Sequence, residues 1–483
     1  MRTSSIGLLL ISMVLLTACA ATPEQVETTP VETSRAIPTA TATPLPTAAA
    51  PSATSGPTAT PAPTSLNPDG PYVLFEGEAG IWIANPDGSF PTRVSDIGFV
   101  TPYQDPRRAI SPAGDWLAQI ISTESGADLV LVQLPGGETE RIAHLVDLPD
   151  STNPTSQVGL AFHAITNYDN LAWQPGEGRL LAFIGAMDGP TADLYTYDTV
   201  SKEITQLTDG LSQGLYPTWS PDGEYILHFG GSWLPPFGGA LVGYTRADGA
   251  WAVRVSDGTI IRQPGDLKSH FNFIGWIDDG HYLYSGTDEN CSNRDIRLAA
   301  VGEATTTTVF KGCYDSYDAF SPDSGAMLIS SSDCELCPLG IGTFWLQLQD
   351  LTPIQVWVDK SWGIEWLPES RSFYAYPNGA ISSDGQERYD PPAPEPSGVA
   401  ISQEGWVAWS DTIDQNRVVV VMRAGEEPVA LQVPVGAMIW DPVDGSTLLG
   451  VAGGKVYAAS APDFAPRVMG EISGRVDQAI WVP

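Results

Sequence analysis

The sequence predicts an all-β fold, a β-propeller of four-stranded blades, and three observations carry that expectation. The first is a repeat: a short apolar segment ending in Trp, Phe or Ile, followed by a Ser/Pro/Asp/Gly turn. Its clearest copies are Ala109-Ile110-Ser111-Pro112-Ala113-Gly114, Thr218-Trp219-Ser220-Pro221-Asp222-Gly223 and Ala319-Phe320-Ser321-Pro322-Asp323. Looser copies are Ala172-Trp173-Gln174-Pro175, Gly275-Trp276-Ile277-Asp278, Glu365-Trp366-Leu367-Pro368, Ala400-Ile401-Ser402, Ile439-Trp440-Asp441-Pro442 and Ile480-Trp481-Val482-Pro483. They recur mostly at about 40–45 residues, the period of propeller blades. The second observation is that strand-like runs and tight turns, not helical patterns, fill the intervals. The third is that the two ends of the repeat region complement each other.

Taken in order, Arg2 precedes an apolar run, Ile6 to Leu16, that ends in Leu16-Thr17-Ala18-Cys19. The run is too short to span a bilayer and has signal-peptide flanks. The segment resembles a bacterial lipoprotein signal, which implies that residues 1–18 are removed and that Cys19 is lipidated. Several acyl chains on one cysteine would anchor the chain firmly, where one chain is marginal. An ordinary secretory signal is the plainer reading.

Residues 19–66 comprise Cys19 and a stretch built almost wholly from Thr, Pro, Ala, Ser and Glu. Such a stretch buries too little apolar surface to offset the entropy of ordering. It should be a disordered linker biased toward polyproline II, a stalk whose threonines are candidate O-glycosylation sites.

Residues 67–483 form the propeller domain. Its first unit begins with second-strand patterns, Tyr72-Val73-Leu74-Phe75 and Ile81-Trp82-Ile83, without an inner strand ahead of them. The last segment, Gln478 to Val482, reads as an inner strand without a sheet of its own. Pairing the two would complete one blade and remove exposed edges. In the unit after Trp173 the further strands are Leu180 to Ile184, Asp193 to Tyr197 and Glu203 to Leu207. After Trp219 they are Tyr225 to Phe229 and Ala240 to Tyr244. Propellers have about four to eight blades, and the repeats allow seven to nine, with eight favoured.

These units resemble TolB-like propeller repeats, whose pattern is an aromatic, Ser-Pro-Asp-Gly, an apolar strand, a tyrosine-bearing strand and a terminal Leu-Thr. Trp219 to Phe229 and Tyr195 to Thr208 carry the resemblance best; the units near Ile401 and Trp440 have lost much of it. It covers nearly all of Tyr72 to Pro483 and implies the fold rather than an activity.

Charge narrows the functional classes. Asp and Glu number 57 against 23 Lys and Arg, a formal net charge of −34. That excess repels nucleic acid and anionic headgroups. No nucleic-acid partner is expected, and membrane contact is expected through the lipid anchor only.

In a four-stranded blade the second-to-third and blade-to-blade connections share one face. Here they hold the long segments His144 to Asn170, Gly230 to Gly239, Gly286 to Arg294 and Ser331 to Gly342, while the opposite face has turns such as Asp222-Gly223 and Asp248-Gly249. Long loops on a rigid scaffold commonly carry recognition. The candidate ligand- and partner-binding residues are therefore Tyr103, Arg107, Arg108, His163, Tyr168, Asp169, Trp233, Phe237, His270, Tyr314, Asp315, Tyr317 and Trp362. Aromatics with a few charges suit a protein, peptide or glycan surface; interblade packing is the blander role for several. The motif tryptophans Trp173, Trp219, Trp276, Trp366, Trp440 and Trp481 are expected in the core.

Four further cysteines, Cys291, Cys313, Cys334 and Cys337, project from that same face. Outside the cytoplasm disulfides are the expected state. Three pairings are open, and Cys291 with Cys313 and Cys334 with Cys337 is favoured. A four-cysteine zinc site has only one of its two Cys-x-x-Cys knuckles, and Cys334-Glu335-Leu336-Cys337 lacks the βαβ context of a redox pair.

No catalytic residue is assigned. Gly210-Leu211-Ser212-Gln213-Gly214 spells a nucleophile elbow, but it joins two strand patterns with no helix to follow. Prolyl-oligopeptidase-type enzymes add an α/β-hydrolase domain to a propeller, and no such pattern accompanies the five histidines. The alternative to a binding role is a metal-dependent hydrolase or lactonase, with Glu365, Asp169, Asn170, Asn272 and Asp477 around a channel-bound calcium. The expectation is a monomeric, lipid-anchored, extracytoplasmic binding module, without cofactor, that engages an envelope protein, peptide or glycan.

Overall fold

A computed structural model describes residues 65–483 except positions 78, 99–104, 152, 154, 235–243, 268–271, 288–293, 312–313, 316–319, 322–324, 332–339, 359–362, 367–371, 377–378, 383–387, 390–396, 403, 414–415, 424–427, 432, 434–435 and 442. The signal, Cys19 and nearly all of the linker lie outside the described residues, as do Cys291, Cys313, Cys334 and Cys337. Of the chain's two compact units, Met1–Pro61 and Ala62–Pro483, only the second is described. Among the described residues no helix is long and apolar enough to cross a membrane.

Among the described residues strands dominate, with two short helices, α1 (Pro106–Ala109) and α2 (Gln157–Thr166). The strands of the described residues form eight four-stranded antiparallel sheets and one three-stranded sheet, one for each repeat unit. The sheets match the nine repeat copies in the sequence and fall within the seven to nine blades it allows. The three-stranded sheet belongs to the second unit, where the inner strand shrinks to a single bridge between Ile110 and Leu117.

The motif turns that carry serine share one construction. The Ser220 amide donates to the Tyr225 carbonyl, the Tyr225 amide donates to Ser220 Oγ at 2.9 Å, and Gly223 closes the turn at φ +71°. The amides of Trp116, Ala326 and Trp406 donate in the same manner to Ser111, Ser321 and Ser402, and all four serines are buried. A hydroxyl satisfies an amide that the inner hairpin would otherwise orphan.

Sequence-predicted strands in the third unit recur as Leu180–Gly185, Asp193–Asp198 and Ile204–Gln206. The predicted pairing of the ends is present: Tyr72–Gly77 lies antiparallel to Val476–Val482, with Tyr72 opposite Val482 and Leu74 opposite Ile480. Alternation along Tyr72–Gly77 sends its two faces to different neighbours. Val73 and Phe75 pack with Leu449, Val451 and Val456 of the ninth unit, while Tyr72 and Leu74 pack with Ile110, Leu117 and Val132 of the second.

The same face-to-face stacking joins the second, third, fourth and fifth units through Leu129, Phe183, Phe229 and Tyr282, the fifth and sixth through Leu283 and Met327, and the eighth and ninth through Trp406 and Leu448. Inner segments also touch in series: Gly363–Trp366, Ser397–Ile401, Ala437–Trp440, Val476–Val482, α1, Leu171–Trp173 and Gln213–Trp219. Of the motif tryptophans, Trp173, Trp219 and Trp440 are buried and Trp276 and Trp481 are half-buried; the Trp366 side chain is outside the description.

Two local expectations need correction. The stretch His144 to Asn170 is not one long loop. Thr139–Asp147 is a strand and α2 follows, capped by Ser156, whose side chain accepts from the Gly159 amide. Val158, Ala161, Phe162 and Ile165 recur at helical spacing and turn inward, and this short run is outweighed in sequence by the strand repeats around it. Asp248-Gly249 is not a turn either, but lies inside the strand Tyr244–Arg254. The partner strand shifts register between Gly230 and Gly231 there, and Asp248 accepts from the Ser212 and Ser232 hydroxyls. The third-to-fourth turn falls at Asp257-Gly258, where the Asp257 carboxylate accepts from the Thr259 amide.

Candidate functional site

The inner segments of the second, third and fourth units converge around Arg108. Asp105 caps α1 by accepting from the Arg107 amide at 3.0 Å, and Pro106 opens the turn. Proline at the first helical position gives up no needed amide. The single turn sends consecutive arginines different ways. Arg107 points to solvent with 76% of its side chain exposed and returns to the Asp105 carboxylate at 2.9 Å. Arg108 reaches the third unit at Asp169 Oδ2, 2.6 Å away, and donates to the Pro217 carbonyl of the fourth.

Asp169 is only 5% exposed at its side chain. Burial raises its pKa to about 6 against the opposing pull of Arg108. A carboxylate so placed depends on its partner, because removing one member of a buried pair strands the other. Next in sequence, Asn170 donates to the carbonyls of Ala164 and Ile165 at the end of α2 and accepts from the Tyr216 amide at 3.1 Å. One buried amide thus fixes α2 to two inner segments.

An aromatic row flanks the ion pair. His163 of α2 lies 6.0 Å from Tyr168, and Tyr168 meets Tyr216 edge-on at 5.5 Å. All three are half-buried. Burial lowers the His163 pKa, keeping the imidazole neutral at neutral pH, and raises that of Tyr216, with the Asp169 charge adding to the effect. A cleft of about 360 Å³ is lined by Arg107, Arg108, Trp173, Trp219, Trp481 and Pro483. A larger cleft of about 1190 Å³, lined by Arg417, Arg475, Asp477 and Gln478 among others, opens at the start of the Ala437–Trp440 and Val476–Val482 strands.

The structure therefore brings together Arg107, Arg108, His163, Tyr168 and Asp169 from the predicted set. Trp233 lies in the strand Tyr225–Leu234, and Tyr314 and Asp315 form a two-residue strand, but their side chains are outside the description. Tyr103, Phe237, His270, Tyr317 and Trp362 lie outside the described residues altogether. Sequence reasoning does not single out Arg417, Arg475 or Tyr216. Arg475 stands just ahead of an inner strand, the same placement that marks Arg107 and Arg108.

The side chains proposed for a channel metal are otherwise engaged. Asp169 holds Arg108, Asn170 spans α2 and Tyr216, Asn272 donates to the Ser285 carbonyl, and Asp477 pairs with Arg475 at 2.9 Å. The Glu365 side chain is outside the description. Among the described residues, no three His, Cys, Asp or Glu side chains gather closely enough to hold an ion. Ser212 of the elbow-like sequence donates to Asp248 Oδ2 at 3.2 Å.

No family model matches the chain. It is 48% identical over 58 residues to the uncharacterized peptidase YuxL of Bacillus subtilis, covering 11% of this chain and 8% of that protein. It is 26% identical over 191 residues to the uncharacterized protein Atu1656 of Agrobacterium fabrum, covering 40% and 56%. The chain thus spans less than two thirds of either curated relative. Among solved structures, TolB from Acinetobacter baumannii is similar over 76% of this chain and 82% of its own, at 12% identity and a TM-score of 0.27.

Proposed function

We propose that the repeat region is a β-propeller closed through its terminal strands, and that it serves as a monomeric binding module displayed on the outer side of a cell membrane by lipidated Cys19. Its partner is an envelope protein, peptide or glycan, engaged by the face where blade-to-blade connections enter the inner strands. The observation that carries this reading is the Arg108 bridge. One guanidinium ties three successive units through a buried carboxylate and a backbone carbonyl and, with exposed Arg107, lines a cleft bordered by Trp173, Trp219 and Trp481. A rigid patch of aromatics and arginine is the composition that dominates binding energy at interfaces.

The metal-dependent alternative is not favoured, since the candidate ligands that are described already serve the protein. The test is crosslinking capture from solubilised envelope with the full chain and with the double variant Arg107→Ala/Tyr168→Ala, together with metal analysis. The expected result is a defined partner lost in the double variant, which still unfolds cooperatively, and a weaker loss in Arg107→Ala alone, whose unfolding is unchanged. Stoichiometric calcium or zinc with no partner would reverse the reading. Cys19→Ser should abolish incorporation of labelled palmitate and release the chain from the membrane fraction; continued labelling would refute lipidation at Cys19.

A further inference from the structure

In the sheet built from the chain's two ends, Val476–Val482 is the edge strand. It bonds Tyr72–Gly77 on one side, and among the described residues no strand bonds the other. Its register is regular from Gln478 to Val482 and bulges at Asp477. Gln478 to Trp481 are all half-buried, whereas the inner strand Leu171–Trp173 is buried throughout and Gln213–Trp219 nearly so. Both clefts described above adjoin the strand, the larger through Val476 to Ala479 and the smaller through Trp481 and Pro483. Open space therefore accompanies it from its start to its end.

The connections between second and third strands differ around this strand and away from it. In the eighth, ninth, first and second units they are tight turns, closed by Ile413 opposite Asn416, Ala452 opposite Lys455, Gly77 opposite Gly80 and Thr123 opposite Gly126. The long ones belong to the third to sixth units, between Gly185 and Asp193, Leu234 and Tyr244, Thr287 and Arg294, and Ser331 and Gly342. An unpaired edge left open is a template for one more strand. The charged side chains lining the larger cleft are Arg417, Arg475 and Asp477. Asp477 holds Arg475 through Nε at 2.9 Å, and 76% of the Arg475 side chain remains exposed. Arg417 reaches Ser410 Oγ at 3.5 Å, and the nearby Glu76 carboxylate accepts from Gln478 at 3.4 Å. Two guanidiniums against one carboxylate favour an anionic group here, in a chain whose formal net charge is −34.

We propose that the free edge of Val476–Val482 takes up an extended peptide as an added antiparallel strand, with the peptide's terminal carboxylate on Arg475. Main-chain hydrogen bonds supply the affinity in this mode of recognition. The antiparallel direction follows from the charge: it sets the peptide's C-terminus beside the start of the strand, where Arg475 stands. A parallel peptide would bring its ammonium group there, against the guanidinium. The inference rests on the binding-module reading and names the chemistry of the partner. A synthetic peptide separates the two, because envelope capture without peptide binding would overturn this inference alone.

The test is fluorescence anisotropy of the full chain with rhodamine-labelled Thr-Val-Thr-Val-Thr-Val, as the free acid and as the C-terminal amide. The acid should bind at least tenfold more tightly than the amide. Arg475→Ala should remove that difference and Arg475→Lys should keep part of it, while both variants unfold as wild type does. Two further peptides, N-methylated at odd or at even positions, separate strand pairing from side-chain contact, since alternate amides of an added strand point toward the edge. One of them should bind at least tenfold more weakly than the parent and the other about as tightly. No binding, equal binding of acid and amide, an undiminished preference in Arg475→Ala, or equal behaviour of the two methylated peptides would each overturn the proposal.

Discussion

The indole N–H of Trp219 donates to the carbonyl of Ala172, 2.9 Å away in the preceding unit. The same bond joins Trp173 to Ala109 and Trp440 to Ala400, each at 2.9 Å, and each acceptor immediately precedes its own unit's motif residue. The motif tryptophan therefore does two jobs, filling the core and locking one inner segment to the next. Trp219→Phe keeps most of the ring and should cost about 1–3 kcal/mol for the orphaned carbonyl. Trp219→Ala adds a cavity and should cost about 3–5 kcal/mol. Urea unfolding of both variants checks the order; a Trp219→Phe variant as stable as wild type would mean that the hydrogen bond contributes nothing.

The serine of the motif has a separate structural role. Ser220 is fully buried, and its Oγ accepts from the Tyr225 amide. Ser220→Ala leaves that amide without its acceptor and should destabilise the domain by about 1–3 kcal/mol. Ser212→Ala, which removes a part-buried hydroxyl, should cost less. A loss at Ser212 as large as that at Ser220, measured by thermal or urea unfolding, would contradict the assigned role.

Much of the fold is legible in the sequence because the repeat enforces it. Period-two alternation marks the strands, Ser-Pro-Asp-Gly marks the inner turn, and the unmatched ends announce their pairing. What is not legible is local and has local causes. Asp248-Gly249 has turn chemistry but sits in a strand, where the glycine follows an aspartate serving two hydroxyls. α2 is only ten residues long, too little for its helical spacing to stand out. The site was legible as a set of positions ahead of inner strands. Which positions would meet was not, since Arg108 and Asp169 are 61 residues apart and only the stacking of the units joins them.

The adjacent arginines of α1 should behave very differently. Removing Arg108 strands the buried Asp169 carboxylate, a defect of about 3–5 kcal/mol. Arg107 is exposed and its pair with Asp105 is screened, so Arg107→Ala should stay within about 1 kcal/mol of wild type. Chemical unfolding of Arg108→Ala and Arg107→Ala measures both. Similar losses would show that the Arg108 bridge does not hold the three units together.

Asp169 predicts a pH dependence with a definite sign. Its folded pKa of about 6 lies above the unfolded value of about 3.9, so the folded state holds the proton more tightly. Its contribution to stability is full below the unfolded pKa and is lost as pH rises through about 6. Across about pH 4 to pH 7, wild type should therefore lose on the order of 3 kcal/mol relative to Asp169→Asn, which cannot titrate. Parallel stability curves for the two proteins would show that Asp169 is not the titrating group.

The pairing of the chain's first and last strands makes the final prediction. Tyr72–Gly77 has Val73, Leu74 and Phe75 at 0% exposure, and one of its two hydrogen-bonded neighbours is Val476–Val482. Truncation before Val476 would leave a six-residue apolar strand with an open edge and would uncover side chains that now pack on both sides. Open apolar edges recruit further strands, so the truncated chain should self-associate and bind a hydrophobic dye. The reverse change, cysteines at Val73 and Trp481, which are register partners, closes a loop of nearly the whole domain and should raise the unfolding midpoint under oxidising conditions. Size-exclusion chromatography of the truncated chain and urea unfolding of the crosslinked one test the same contact from opposite directions. A truncated chain that stays monomeric with an unchanged midpoint would show that the terminal strand does not fasten the fold.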